Sequence, residues 1–510
     1  MTSPAAGTRP AAPQTPFASA YDLHRQGRTA EAEQAYRAIL DAVPHHFDAA
    51  HFLAMILLAR GDAAEAEQLI AGALEHRPAG IKPQNLAQAH NSHAVALITL
   101  RRFEDALAAL DAGLALAPGM GGIIANRAWV LYELGRLDEA IDLCGKVIAA
   151  KRDFAPAHKT LAKALIAAGR PAEAIVSFGD AIALMPDDHD CFHGRAFPNL
   201  LLGNFAKGWE DMEHRRFLKS HAGLHHAAHA DLSLPRDALR DKRVLVTAEQ
   251  GIGDEIMLAG MIPDLMADAG SVTLECDARL ESLFARSFPG IKTVARRSPP
   301  EWNAADHDIV IPSLRLGRYY RASRADFPER QSYLAPDPGI AAAWKARLGG
   351  LDGLKVGISW SGGTEATRRG LRSVPLEQWT PLFALDGVRF VSLQYGEAAR
   401  DIARINSTLT RPVTAFAPAE IDNFDQLAGL VASLDLVVTV QTALVHLSGA
   451  LGKTAKVMVP HAPEWRYGAS GSRMPWYASV ELYRQEKPGA WDDVLARVAA
   501  DIRNGTPHVR

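Results

Sequence analysis

Residues 244–263 read VLVTAEQGIGDEIMLAGMIP, and this stretch decides the fold of the second half of the chain. The apolar run 244–246 is typical of a buried parallel strand, and apolar residues at helical spacing follow a turn made by Gly251 and Gly253. A strand, a turn and a helix in this order put the turn at the carboxyl edge of a sheet, where open α/β folds bind ligands. Asp254 falls in the first turn of that helix, either as an acid stabilised by the helix dipole or as a catalytic carboxylate.

Length and composition narrow the class of protein. A chain of 510 residues predicts two to four domains, and a formal net charge of −3 gives no basic surface for nucleic acid. Residues 1–16 lack the apolar core of a signal peptide and predict a disordered tail. No run is long and apolar enough to span a bilayer, so we expect a cytoplasmic protein. Three scattered cysteines fit a reducing compartment: Cys144, Cys191 and Cys276.

Residues 17–218 contain an internal repeat. The motif Gly-Arg-x-x-Glu-Ala and its variants recur with their last residues spaced 34 positions apart, except for one step of 40 residues caused by an insertion near 81–84. Those last residues are Ala32, Ala66, Ala106, Ala140, Ala174 and Gly208. A 34-residue period with small residues at fixed positions resembles the tetratricopeptide repeat, a pair of helices that stacks into a solenoid with a concave face. Such a face binds protein segments, and a structural spacer or a dimer surface is the alternative.

Residues 219–240 show neither helical nor strand periodicity and predict a linker. Four histidines lie in it, namely His221, His225, His226 and His229. Without an ordered scaffold these side chains favour a solvated connector over a metal site, so no metal ligand is assigned.

From residue 241 onward, strands alternate with helices. The first half, 241–340, has further strand patterns at 271–276 and 308–311 with a helix at 278–288 between them. The second half, 341–510, alternates strand patterns with helices that include 375–384 and 423–433; its strands are 354–360, 388–393, 434–440, 455–459 and 479–483. This order predicts two Rossmann-like halves with a cleft between them.

Seven short motifs carry a resemblance to a known family. They are EQGIGD (249–254), GISWSGG (357–363), RSVPL (372–376), SLQ (392–394), DLVVTVQTALVHLSGALG (435–452), WRYG (465–468) and PWY (475–477). In this order the chain resembles bacterial tetratricopeptide-repeat glycosyltransferases of GT-B fold, which are related to heptosyltransferases and to protein O-GlcNAc transferase. The resemblance implies an α-helical solenoid followed by a GT-B pair of α/β halves. It also implies an acceptor side at 241–340 and a nucleotide-sugar side at 341–510.

The resemblance also implies where the donor would bind. Enzymes of this kind act without a metal ion or a cofactor, so protein groups must neutralise the nucleotide phosphate of the sugar donor. Gly362, Gly363 and Thr364 form a small-residue loop suited to close approach of backbone to phosphate. Arg372 falls where relatives have a basic phosphate-binding residue, with Arg368 and Arg369 as weaker candidates; a solvated basic loop is the alternative.

The helix after the strand ending at Val440 supplies the other phosphate contacts. Its N-terminal amides and the Thr442 hydroxyl suit a phosphate, and His446 lies four residues on, on the same face, either as a ligand contact or as a packed core residue. Relatives usually have Asp at position 441, so Gln441 keeps the hydrogen bonding but removes a charge. Gln394 and Tyr395 are expected to bracket the base or ribose. The aromatic residues of 465–477 either wall the cleft or pack the closing segment.

The resemblance assigns the chemistry to one carboxylate. Inverting transfer needs a base near the acceptor hydroxyl, and Asp254 matches the aspartate that relatives place there, with Gly251 and Gly253 shaping its turn. Glu249 is the second candidate, and a structural acid at the helix terminus remains open for Asp254.

The expected function is transfer of a sugar from a nucleotide donor to a Ser or Thr hydroxyl of a protein that the repeats bind. Some relatives modify flagellin with nonulosonic acids, so the resemblance suggests flagellin as acceptor. Transfer to a glycan or lipid-linked saccharide is the second reading. A tetratricopeptide scaffold with an inactive transferase region is the third, and Gln441 is the feature that favours it.

Overall fold

The structure, a computed structural model, describes residues 15–218, 234–363, 369–396 and 398–505. Residues 1–14 of the predicted tail, residues 219–233 of the predicted linker with its four histidines, and Thr364 and Arg368 lie outside these ranges. The chain forms two compact units. The first holds the described residues up to Ala168 together with Ala183–Met185, and the second holds Gly169–Ile182 and the described residues from Pro186 onward.

The first unit is a run of helix pairs that begins at Pro16, next to the Thr15 cap. Its helices are α1 (Pro16–Arg25), α2 (Thr29–Ala42), α3 (Phe47–Arg60), α4 (Ala63–Glu75), α5 (Pro83–Thr99), α6 (Phe103–Leu116), α7 (Gly121–Glu133), α8 (Leu137–Ala150) and α9 (Ala155–Ala167). Gly61, between the helices of one pair, has φ +104°, and Arg101 holds the same left-handed turn at φ +59° where the motif lacks its glycine. The repeat therefore requires a left-handed backbone conformation at this turn, whether or not the residue there is glycine.

Small residues allow the helices of each pair to approach. Ala32, Ala66, Ala106 and Ala140 are all fully buried. The first helices of successive pairs also contact one another, α3 with α5, α5 with α7 and α7 with α9, so they form one continuous face. This part of the chain is a solenoid of stacked helix pairs, as the 34-residue period predicts.

The second unit starts with the last repeat helices, α10 (Pro171–Leu184), α11 (His189–Leu201) and α12 (Phe205–Met212), and a 3-10 helix at Glu213–Phe217. Trp209 is buried, and its indole donates a 2.8 Å hydrogen bond to the Arg321 carbonyl. Gly317 lies against the same ring, where a Cβ atom would be within 2.5 Å of Cε2. These contacts anchor the last repeat helices on the α/β region.

Four parallel strands in the order β3-β2-β1-β4 form the first sheet. Its strands are β1 (Arg243–Thr247), β2 (Ser271–Cys276), β3 (Lys292–Ala295) and β4 (Ile309–Pro312). Its helices are α13 (Ile252–Ala259), α14 (Ile262–Asp268), α15 (Glu281–Ser287) and α16 (Arg315–Tyr320). The turn 248–251 thus follows a central strand, as the opening stretch predicts.

The second sheet has the order β6-β5-β7-β8-β10-β9, parallel except for β9 against β10. Its strands are β5 (Leu354–Ser359), β6 (Val388–Ser392), β7 (Leu436–Val440), β8 (Ala455–Val459), β9 (Arg473–Met474) and β10 (Tyr477–Arg484). Its helices are α17 (Pro338–Leu348), α18 (Arg369–Arg372), α19 (Thr380–Phe383), α20 (Ala399–Asn406), α21 (Pro418–Ile421), α22 (Phe424–Ser433), α23 (Ala443–Ala450) and α24 (Asp492–Gly505).

The helix predicted at 375–384 is interrupted. The structure has a 3-10 helix at Leu376–Trp379 followed by the four-residue α19. Pro381 has no backbone N–H, so it can sit in the first turn of a new helix but cannot continue an existing one. The described residues contain no helix long and apolar enough to cross a membrane.

Candidate functional site

The loops after two adjacent strands, β5 and β7, meet at the carboxyl edge of the second sheet. A Cβ atom at Gly362 would overlap the Thr442 side-chain methyl and would lie 3.2 Å from the Gln441 carbonyl oxygen. Gly363 follows with φ +83°, a backbone conformation that favours glycine. The two loops can therefore approach each other because residue 362 has no side chain.

Gln394 shapes the first of these loops. Its Oε1 accepts hydrogen bonds of 3.0 Å from the Ser359 hydroxyl and from the amides of Trp360 and Ser361. Its Nε2 donates to the Ser361 carbonyl at 2.9 Å and to the Tyr395 carbonyl at 3.3 Å. The amide is thus engaged within the protein, whereas the Tyr395 ring is 57 % exposed.

Two buried donors at this edge have no acceptor among the described residues. They are Nε2 of Gln441, whose residue is 3 % exposed, and Nε of Arg372, whose side chain is 11 % exposed. Thr442 caps α23, since its hydroxyl accepts from the Leu444 amide at 3.2 Å. Buried donors normally find partners, so a set of unpaired donors beside a helix N-terminus favours an anionic ligand.

His446 lies on α23, which packs against helix α13 of the first sheet. Its Nδ1 is 3.1 Å from the Tyr477 hydroxyl, which is 3.3 Å from the Tyr333 hydroxyl. Burial, with a smaller contribution from Arg466, lowers the pKa of His446 to about 3. The imidazole is therefore neutral near pH 7.

The opening Gly-x-Gly turn brings the two halves together. Gly251 caps α13 in an extended conformation. A Cβ atom at Gly253 would lie 3.2 Å from Ala443 Cα and 3.2 Å from His446 Cδ2. Gly253 thus lets α13 and α23 cross closely, which places the turn beside the candidate phosphate edge.

Four charged side chains of alternating sign connect the two halves. Oδ1 of Asp254 accepts a 2.5 Å hydrogen bond from Nε of Arg466, and Nη1 of Arg466 donates a 2.5 Å hydrogen bond to Glu464. Glu464 also pairs with Nη1 of Arg372. The sequence of charges is therefore Asp254, Arg466, Glu464 and Arg372.

The first carboxylate in this series is held by its neighbours. Burial raises the pKa of Asp254, while Arg466 and the Gly251 amide lower it. One carboxylate oxygen is occupied by Arg466, so a proton acceptor role requires the other oxygen or a movement of Arg466. Arg466 belongs to the WRYG motif, but the motif does not indicate a role for it, because its partner Asp254 is 212 positions away in the sequence.

The two other acids of the opening stretch have structural partners. Glu249 accepts from Arg215 at 2.6 and 2.9 Å and from the Leu314 amide at 2.7 Å. Glu255 accepts from the Asp277 amide at 2.6 Å, and burial raises its pKa to about 7. Glu249 joins the last repeat helices to β1, and Glu255 joins α13 to the end of β2.

The aromatic residues of the closing segment pack together. Trp465 meets Trp209 edge-on at 5.4 Å and Trp476 at 6.1 Å between ring centroids. The Arg466 guanidinium lies 4.9 Å from the Trp465 ring centroid. The last repeat thus contacts the segment that carries Arg466. In the described part of the chain, no group of three or more His, Cys, Asp or Glu side chains has the arrangement of a metal site.

Comparison with known proteins defines the class first. The tetratricopeptide-repeat family model matches residues 23–89 and 97–165, so the chain is a tetratricopeptide-repeat protein followed by an α/β region. It is 31% identical over 441 residues to Protein FlbA of Caulobacter vibrioides, an alignment that covers 74% of this chain and 72% of that protein. The chain therefore belongs to the FlbA family.

Solved structures resemble the repeats. The tetratricopeptide-repeat protein YrrB, described as having an unusual peptide-binding site, is 18% identical with a TM-score of 0.31, covering 35% of this chain and 90% of YrrB. A tetratricopeptide-repeat protein from Parabacteroides merdae is 20% identical with a TM-score of 0.34, covering 40% and 77% of the two chains.

Proposed function

We propose that this protein is a GT-B glycosyltransferase that moves a sugar from a nucleotide donor to a Ser or Thr hydroxyl of a protein held by the repeats. The observation that carries the proposal is the carboxyl edge of β5 and β7, where Gln441 Nε2 and Arg372 Nε are buried without acceptors among the described residues. These donors, together with the N-terminal amides of α23, fit the phosphate of a nucleotide.

The chemistry follows from the position of the charges. Arg372 and the α23 N-terminus stabilise the negative charge that develops on the leaving nucleotide. Asp254 lies across the cleft on α13 and accepts the proton of the attacking hydroxyl in an inverting displacement. Burial raises the pKa of Asp254, and Arg466, which binds this carboxylate, positions it and opposes that rise.

Nucleotide binding tests whether the unpaired donors of Gln441 and Arg372 form a phosphate site. We expect calorimetry with UDP, GDP and CMP to detect at least one ligand, and Gln441→Glu to weaken it more than tenfold because a carboxylate would face the phosphate. Gln378→Glu is the matched control, since it adds the same charge at an exposed position. If none of these nucleotides binds, or if both variants bind equally, the phosphate site is wrong.

The repeats supply the acceptor surface in this proposal, and the resemblance suggests flagellin. Trp129 on α7 lies on the face made by the first helices, with Lys163 Nζ of α9 5.0 Å from its ring centroid. We expect Trp129→Ala to weaken flagellin binding at least fivefold, because aromatic residues contribute strongly at protein interfaces. Val43→Ala, at a residue 51 % exposed, is the control. Equal binding by both variants would place the acceptor elsewhere.

A protein-binding scaffold with an inactive transferase region is the second candidate. The observation that favours it is the ion pair itself, since Arg466 occupies an oxygen of the candidate base. In that case flagellin binds to the repeats, and its mass does not change when nucleotide sugars are supplied.

A further inference from the structure

A cavity adjoins the segment that carries Arg466. It measures about 360 Å³ and is lined by residues of the segment 467–473 and by Arg324 and Pro475. Tyr467, the residue after Arg466, is part of its wall. The candidate phosphate site at the carboxyl edge of β5 and β7, called the nucleotide edge here, is formed by other residues, namely Gln441, Arg372 and the N-terminus of α23.

A partly buried arginine, Arg484, organises the loop on one side of this cavity. The Arg484 guanidinium donates to the carbonyls of Tyr467 at 2.6 Å, Gly471 at 2.7 Å, Gly468 at 2.9 Å and Ser470 at 3.3 Å. With four carbonyls turned toward Arg484, the amides of Ser470 and Gly471 have no acceptor among the described residues. Gly468 and Gly471 make this possible with φ +65° and +80°.

The loop therefore combines two amides that lack an acceptor in the described part of the chain with a neighbouring cation, Arg484. Burial lowers the pKa of Arg484 to about 10, and the guanidinium remains charged near pH 7. In the described ranges, no carboxylate pairs with it, and its charge is compensated by carbonyl dipoles alone. Successive outward amides in a glycine-containing loop form a concave site for anions.

Two arginines line the cavity itself. Arg324 and Arg473 are exposed, and neither pairs with a carboxylate among the described residues. The nearby acids are engaged elsewhere, because Asp326 accepts from the Ser323 amide and Glu481, opposite Arg473 on β10, binds Lys456 and the Tyr483 hydroxyl. Glu464 is taken by Arg372 and Arg466. Two arginines thus line the cavity, Arg484 holds the loop that forms its wall, and none of these acids is paired with Arg324 or Arg473.

We propose that the cavity lined by the loop 467–473 and by Arg324 is a second anion site, which binds a carboxylate, phosphate or sulfate group of a small molecule. Arginine is suited to such groups because its planar donors match two oxygens. The volume suits a ligand the size of a sugar or a small metabolite. This site goes beyond the proposed function, since anion binding here requires neither the nucleotide edge nor transfer.

The test uses full-length protein carrying Arg372→Ala, so that binding at the nucleotide edge is reduced. Inorganic phosphate, glucuronate and glucose are titrated by calorimetry. We expect phosphate or glucuronate to bind and glucose not to bind. Adding Arg324→Ala and Arg473→Ala should weaken anion affinity at least tenfold, whereas adding Arg347→Ala and Arg411→Ala, at exposed arginines paired with acids, should leave it unchanged.

The two anions separate the sources of the group. Binding of phosphate alone assigns a phosphate-bearing ligand, and binding of glucuronate with rejection of glucose assigns a carboxylate carried on a sugar. Equal affinity in the Arg324/Arg473 and Arg347/Arg411 variants, or binding of neither anion, overturns the second site. Nucleotide binding by the wild-type protein is measured separately, so failure of this site is distinguishable from failure of the proposed function.

Discussion

The carboxylate of Asp254 on α13 accepts a hydrogen bond from Nε of Arg466 across 2.5 Å, and each side chain is 14% exposed. Asp254 follows the central strand of the first sheet, and Arg466 lies between β8 and β9 of the second. The ion pair therefore connects the two halves, and it occupies one of the two carboxylate oxygens of Asp254.

Replacing Asp254 by Asn removes the charge but keeps an oxygen for Arg466. We predict that the transfer rate falls at least about 100-fold, the usual contribution of a general base, while nucleotide affinity changes less than threefold. Initial rates and calorimetry on the same preparation measure both quantities. A purely structural Asp254 would instead give a rate within tenfold of wild type, with a lower melting temperature.

Glu464 neutralises both Arg372 and Arg466. Glu464→Gln leaves Arg372 without a carboxylate partner, so we predict that nucleotide affinity rises about three- to tenfold, or roughly 1 kcal/mol. Glu420→Gln, which removes an exposed pair with Arg347, is the control and should change nothing. Weaker nucleotide binding by Glu464→Gln would show that the glutamate supports the site and does not compete with the ligand.

Gly253 permits the close crossing of α13 and α23. A methyl group there would press on Ala443 Cα and His446 Cδ2, so Gly253→Ala should lower the free energy of unfolding by about 1–3 kcal/mol. At Gly251 a Cβ atom would meet only Asp254 Oδ2, at 4.0 Å, and Gly251→Ala should be nearly neutral. Urea denaturation of both variants decides the point; equal stability would mean that the helices separate without cost.

Acidification should destabilise the protein through His446. Because burial lowers its folded pKa to about 3, the unfolded chain binds this proton more readily between about pH 6.5 and pH 3. The free energy of unfolding therefore falls as pH decreases through this window, by up to a few kcal/mol from this group. His446→Gln keeps a partner for Tyr477 and should show a smaller loss between pH 7.5 and 5. Parallel pH curves for the two proteins would contradict the burial of a neutral imidazole.

Much of the fold could be predicted because local patterns report it. The repeat period predicts the helix pairs of the solenoid. The apolar runs at 244–246, 271–276 and 434–440 predict strands, and each of them contains a strand or lies within one. The sequence pattern does not predict strand β3 (Lys292–Ala295), since this strand has four residues and begins with an exposed lysine. Such a strand is fixed by its neighbour β2 more than by its own pattern.

The site was harder to predict because its decisive contacts are long-range. The loops of Gly362 and Thr442 could be expected at one edge, since both follow buried parallel strands. The ion pair of Asp254 with Arg466 could not be predicted, because the two residues are far apart in sequence and lie in different halves. Gln394 is expected to contact the base, but its side-chain amide hydrogen-bonds to the loop 359–361. No sequence motif indicates these hydrogen bonds.

Intact-mass spectrometry of the acceptor tests the central claim most directly. Flagellin from cells lacking this protein is incubated with the full-length protein and the small-molecule fraction of a wild-type extract as a source of nucleotide sugars. We predict a mass increase by one or more sugar residues with wild-type protein and with Arg411→Ala, and none with Asp254→Asn. An unchanged flagellin mass with the wild-type protein, although nucleotide and flagellin both bind, would contradict the transferase and leave the scaffold.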